Sequence, residues 1–408
     1  MSLHTLAPHL ARALNEMNTA GRRKGAERVI VGIVPGRGGL GPRYRLEGCG
    51  DRLFLRMNSN SYLDLSLHPK VVEAETRAAE RFGAGPGAVR FISGTYRPHV
   101  ELEQRLASFH GREAALTMSA AYAAVMGVLP QVVTERTAVV SDALNHNCII
   151  NAVRLANPSH KAIYPHLDLA GLERALKAHE GRAARAVVVT DGVFSMRGDH
   201  APLDRIVELC RRYDPAYPEG ILSVVDDSHG VGAFGPSGRG TEEATRARAD
   251  LLVGTLGKAF GVNGGYVVSS STVIDYLRET APCYVYSNPI TPGEAAASLA
   301  ALEIVDSPEG NERLVRVRRL AVRLRAGLEG IGLETIAGDH PIVPVIIRDA
   351  GKTAAMVRHC FEHNILATGL TYPVVPRGED EIRLQVSADH TDRDLDEALD
   401  VLKQGRRK

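Results

Sequence analysis

From about residue 65 to 295, short apolar runs alternate with helical periods. AVVVT (186–190), ILSVV (221–225) and LLVGT (251–255) are β-branched runs without polar alternation, which predicts strands buried on both faces. Between such runs, ELEQRLASF (101–109) puts Leu102, Leu106 and Phe109 on one helical face. APLDRIVELCRR (201–212) does the same with Leu203, Ile206, Val207 and Cys210. This alternation predicts an α/β fold with a mostly parallel sheet covered by helices. After residue 295 the pattern changes. A charged helical stretch (308–330), the strand IVPVIIR (342–348), a helix (352–364), the strand EIRLQVS (381–387) and a last helix (392–404) predict a small α+β unit. Near the start, Leu6, Leu10 and Leu14 recur at helical spacing. Residues 28–57, with GIVPGRGGLGPRYR inside, read as a strand meander with a Gly-rich surface connection at 34–44. Three parts follow: an N-terminal helix and strand/loop segment (1–60), a large ligand-binding domain (61–300) and a small C-terminal α+β domain (301–408).

Composition narrows the function. Of 408 residues, 44% are hydrophobic and 24% charged, ordinary for a globular protein, and the net charge of +1 gives no global field for nucleic acid or an anionic membrane. The short basic cluster Arg406, Arg407 and Lys408 is too small for a DNA-binding tail. No apolar run is long enough to span a bilayer, and the N-terminus lacks the continuous apolar core of a signal peptide, so a cytoplasmic location is expected. Cys49, Cys148, Cys210, Cys283 and Cys360 are scattered without a CxxC pair, which points to reduced thiols and to no metal site. GAGPGA (83–88) follows a helical stretch rather than a strand, so it lacks the context of a dinucleotide fingerprint. GTLGKAF has Ala259 where a nucleotide-binding loop needs Ser or Thr.

The strongest chemical signal is the pair VVDDSHG (224–230) and GTLGKAFG (254–261). Asp226 and Asp227 end one apolar strand, and Lys258 follows the next. Ligands of open parallel sheets bind beyond the carboxyl ends of the strands, so both motifs converge on one crevice. A lysine amine facing a carboxylate is what pyridoxal phosphate chemistry requires. The amine holds the aldehyde, the acid keeps the pyridine nitrogen protonated, and a helix N-terminus can hold the phosphate.

With those motifs go NSYLDLSLHP, VRFISGT, HVELEQRLASFHG, SDALNHNCIINAVRLA, TDGVFSMRGD, YSNPITP and YPVVPRGEDEIRLQVSADHT, all in one order. From about residue 55 onward the chain resembles the α-oxoamine synthase family of fold-type I pyridoxal phosphate enzymes, and is closest to its 2-amino-3-ketobutyrate CoA ligase branch. The resemblance implies the aspartate aminotransferase-like fold: a large domain around a seven-stranded, mostly parallel sheet and a smaller α+β C-terminal domain. It also implies a homodimer with shared active sites.

The roles it implies fall on these residues. Lys258 is the Schiff-base lysine and the base for the α-proton. Asp226 pairs with the pyridine nitrogen, while Asp227 is structural. His229 and Ser195 reach the phenolic oxygen, and His146 stacks on the ring. Thr255 and the backbone of Ala121 and Tyr122 bind the phosphate; Val125 stands where the ligase branch is more polar. Ser287 reaches the phosphate of the partner subunit. Arg383, assisted by Asn60, clamps the amino acid carboxylate, and His99 lies near the incoming thioester. Arg97, uncharged or acidic in the ligase branch, serves either a second substrate carboxylate or solvent and CoA phosphate.

The implied reaction joins an amino acid to an acyl-CoA and releases CoA and an α-amino ketone, with or without loss of CO2. Glycine, alanine, serine and glutamate stay open as substrates. The alternative is another fold-type I enzyme, such as an aminotransferase.

Overall fold

A computed structural model describes residues 2–19, 23 and 26–406; Arg407 and Lys408 lie outside the described residues. Seven strands form the central sheet: β1 (Ala114–Met118), β2 (Thr137–Asp142), β3 (His160–Tyr164), β4 (Arg185–Asp191), β5 (Ile221–Asp226), β6 (Leu251–Thr255) and β7 (Gly265–Ser269). Their order is β1-β7-β6-β5-β4-β2-β3. Strands β2 to β6 pair in parallel, and β7 runs against both its neighbours. The reason is length: the turn 256–264 between β6 and β7 is too short for a crossover helix, so β7 must return antiparallel. The runs read as doubly buried strands are buried along nearly their whole length, with helices on both faces.

The C-terminal part holds an antiparallel sheet of β8 (Glu334–Thr335), β9 (Ile342–Ile346), β10 (Thr368–Leu370) and β11 (Glu381–Gln385), in the order β8-β9-β11-β10. In β11, Ile382 and Leu384 enter the core and leave Arg383 on the opposite face. The helices Pro308–Gly330, Ala350–Glu362 and Asp392–Arg406 match the stretches expected from periodicity.

The Gly-rich connection at 34–44 is exposed over 35–39, as expected of a surface segment, but its end is not: residues 41–46 are mostly buried. Gly41 N–H donates to Asp394 Oδ2 at 2.9 Å, and Arg43 donates to Asp394 Oδ1 at 2.7 Å. A side chain at 41 would collide with the Asp389 carbonyl, so glycine is required there. The strand Leu55–Arg56 pairs in parallel with Ile365–Leu366, which ties this segment to the C-terminal part. The helix Ser2–Thr19 forms as its spacing suggests, with Leu6, Leu10 and Leu14 exposed. No helix among the described residues is long and apolar enough to cross a membrane.

Candidate active site

Strands β4, β5 and β6 end in Asp191, Asp226 and Thr255 at the same edge of the sheet, and β1 runs into the helix Ala121–Val132 beside them. A cavity of about 260 Å³ opens there. Its walls include Ala121, Tyr122, His146, Asp226, His229, Thr255 and Lys258. The parallel sheet thus gathers residues spread over more than a hundred positions.

Asp226 is buried and held at both oxygens. Oδ1 accepts from the Ser228 amide at 3.1 Å, and Oδ2 faces the Cys148 thiol at 3.5 Å. Asp191 stands directly opposite it in the β4–β5 register. Burial first, and then the neighbouring Asp226, push the Asp191 carboxyl well above its ordinary value. Asp191 accepts the His146 amide at 3.0 Å, while Asn145 accepts the Asp191 amide at 2.8 Å. His146 caps the helix Asn147–Ala156, and burial lowers its pKa. Asp227 turns to the other side. It is fully buried and accepts from the Thr241 amide (2.6 Å) and hydroxyl (2.7 Å), so its role is structural.

Lys258 sits in the turn after β6, closed by the Gly261 amide donating to the Lys258 carbonyl at 3.0 Å. Gly261 has φ +72° and packs against Ser66, so both its conformation and its space require glycine. Burial lowers the Lys258 amine to about 8, although Asp226 and Asp191 pull the other way. An amine in that range can be nucleophile and base near neutral pH.

His229 Nδ1 lies 2.7 Å from the Tyr62 hydroxyl. Burial, with Lys258 and Arg383 nearby, holds His229 well below its ordinary pKa, so it is neutral. Arg383 Nη1 donates to the Ser195 carbonyl at 2.8 Å. The Gln385 amide fits with its oxygen toward Arg383, accepting from Nε at 3.0 Å and Nη2 at 2.9 Å. In that orientation the same Gln385 oxygen lies 3.0 Å from the Asn60 amide, so Asn60 reaches Arg383 through Gln385.

The donor set fits pyridoxal phosphate. Ser228 Oγ is buried on the cavity wall with no hydrogen-bond partner among the described residues. The helix beginning at Ala121 presents first-turn N–H groups that have no intrahelical acceptor. Gly265 backs this end so closely that a Cβ there would lie 2.2 Å from the Ala121 nitrogen.

Other expected residues lie elsewhere. His99 is corrected. It is fully buried on the helix Arg97–Phe109, Nδ1 accepts the Tyr96 amide at 3.0 Å, and Nε2 donates to the Ile290 carbonyl at 2.8 Å. Both nitrogens are spent on backbone, so it cannot attend a thioester. Arg97 is exposed, faces Glu101 of its own helix at 3.9 Å and does not line the 260 Å³ cavity, a position that suits the solvent or CoA-phosphate alternative. Ser195 meets Arg383 through its carbonyl and does not line the 260 Å³ cavity. Ser287 is part-exposed, its hydroxyl 3.4 Å from the Asn288 carbonyl, next to Tyr286, which is 79% exposed. Asp191, Cys148, Ser228, Tyr62 and Gln385 escaped the sequence reading. Asp191 carries the same signal as Asp226, an acid closing an apolar β-branched run.

Fold and site together define a fold-type I pyridoxal phosphate-dependent transferase. The family profile described as "Aminotransferase class I and II" matches residues 53–402. The 8-amino-7-oxononanoate synthase of Geobacter sulfurreducens is 41% identical over 89% of this chain and 90% of its own length; that of Geobacter metallireducens is 40% identical over 85% and 88%. The solved Sphingomonas wittichii serine palmitoyltransferase superposes with a TM-score of 0.88 at 25% identity, covering 100% of this chain and 98% of that one. The chain belongs to the class I and II aminotransferase family and, within it, to the α-oxoamine synthases.

Proposed function

We propose that the chain condenses an amino acid with an acyl-CoA, giving free CoA and an α-amino ketone, with pyridoxal 5'-phosphate as cofactor. The observation that carries this is the meeting of Lys258 and Asp226 in one cavity beside Arg383. When bound, pyridoxal phosphate supplies an electron sink for the bond broken at the amino acid α-carbon. Lys258 provides the amine that holds the aldehyde. Freed of the aldehyde, Nζ would be the base for the amino acid's α-proton. Asp226, with its oxygens held by Ser228 and Cys148, keeps the pyridine nitrogen protonated. With Nδ1 engaged by the Tyr62 hydroxyl, His229 would have Nε2 left for the phenolic oxygen. His146 would pack on the ring, and Thr255 with the amides of Ala121 and Tyr122 would hold the phosphate. Arg383 takes the amino acid carboxylate, for which its planar fork is suited.

A homodimer with active sites completed across the interface fits the exposed Tyr286–Ser287 segment, with Ser287 reaching the partner subunit's phosphate. Light scattering should give twice the chain mass. The five cysteines are all free thiols, in keeping with a cytoplasmic enzyme.

Protein incubated with pyridoxal phosphate should gain a visible imine band, and borohydride should fix the ring on Lys258. Lys258→Ala should lose the band and thiol release from acyl-CoA. Wild-type thiol release in that variant would overturn the mechanism. An aminotransferase would instead convert the cofactor to its amine form with no thiol released.

A further inference from the structure

Glu381, Arg383 and Gln385 share the face of β11 that Ile382 and Leu384 leave. Arg383 and Gln385 are engaged there; Glu381 is not. It is 3% exposed, and its Oε1 is buried with no hydrogen-bond partner among the described residues. An unbonded buried carboxyl destabilises the fold, and rules are broken in this way mainly at functional sites. Arg197 lies within electrostatic reach but makes no hydrogen bond to it, donating instead to Asp199 at 2.9 Å and to Glu379 at 3.4 Å.

Glu381 opens on a cavity of about 270 Å³ whose apolar wall includes Ile150, Phe194 and Tyr372 and whose polar wall includes Asn145, Ser195, Arg197 and Glu379. Because the Ser195 carbonyl accepts from Arg383, this cavity lies beside the carboxylate clamp. Its size falls just below the ~300–1,000 Å³ typical of pockets for a whole small ligand, so it suits a substituent.

We propose that this cavity receives the variable chain of a substrate and that Glu381 is its specificity-determining residue, selecting a chain tipped with a hydroxyl or carboxamide. The proposal rests on the reading of Arg383 as the clamp. Burial pushes the Glu381 carboxyl up to about 8, against Arg197 and Arg383 and with Glu379 and Asp199. Near neutral pH it therefore offers one O–H donor and one carbonyl acceptor, the complement of a hydroxyl or amide. An apolar tip leaves the carboxyl unbonded. An anionic tip would have to compete with Asp199 and Glu379 for Arg197, the cation that lines the cavity.

Two arms identify the source of the chain. One compares 6-hydroxyhexanoyl-CoA with hexanoyl-CoA, the other homoserine with 2-aminobutyrate. In at least one arm the wild type should favour the hydroxylated member by roughly tenfold in kcat/KM. Glu381→Leu should erase that preference and Glu381→Gln should keep most of it. An unchanged ratio in Glu381→Leu in both arms overturns the proposal. If the wild type releases thiol with no pair, the condensation reading fails instead, and stability still tests the cavity. At about pH 9, where Glu381 is ionised without a partner, Glu381→Gln should melt higher than wild type. An equal or lower Tm overturns the proposal.

Discussion

Arg383 Nη1 donates to the backbone carbonyl of Ser195 at 2.8 Å, so a side chain of the small antiparallel sheet is anchored to the loop that follows β4 of the large one. The guanidinium is thereby fixed within electrostatic reach of Lys258, and Gln385, itself in contact with Asn60, accepts from it.

Arg383→Lys keeps the charge but loses the planar fork. KM for the amino acid should rise roughly 10- to 100-fold, the loss of one or two charge-assisted hydrogen bonds, while kcat falls less. Steady-state kinetics with varied amino acid check this; an unchanged KM would remove Arg383 from carboxylate binding.

Gly265→Ala should weaken phosphate binding. Its methyl would lie 2.2 Å from the Ala121 nitrogen and 2.4 Å from the Ala120 carbonyl carbon, both backbone atoms that a side-chain rotation cannot clear. The helix N-terminus must shift, so the Kd for pyridoxal phosphate should rise at least about tenfold, with a lower Tm. Spectrophotometric titration of the cofactor measures it.

Thr241→Val removes the hydroxyl that donates to Asp227 Oδ1 at 2.7 Å inside the fold. Burial pushes the Asp227 carboxyl up to about 7, and the lost donor leaves one oxygen bare. Denaturant unfolding should show a loss of roughly 1–3 kcal/mol, with the reaction rate of the folded enzyme little changed.

His166 gives a pH dependence. Burial alone would lower its pKa, but Asp142 at 3.0 Å and Asp199 at 3.3 Å carry it up to about 9. The folded state therefore holds this proton more tightly than the unfolded chain. The resulting stability, at most ~3 kcal/mol, is complete below about pH 6.5 and is lost as pH rises through about 9. The Tm difference between wild type and His166→Gln should be larger at about pH 6 than at about pH 9.5. An equal difference at both would show that the proton contributes nothing.

The sequence by itself determined the layers and the chemistry. Uninterrupted β-branched runs such as AVVVT and LLVGT mark strands covered on both faces, because burial selects apolar side chains at every position. An acid or lysine closing such a run sits at the one edge of a parallel sheet where ligands bind, which made Asp226 and Lys258 legible and could have revealed Asp191. What only the tertiary structure decided depends on contacts between distant positions. Arg43 finds Asp394 across 351 residues, which buries the end of a Gly-rich stretch whose residues 35–39 stay on the surface. His99 spends both nitrogens on Tyr96 and Ile290, a fate its motif does not reveal. Periodicity records which face of an element is buried. Which polar group meets which is set by the backbone path that brings them within three ångströms, and a hydrogen bond reads nothing else.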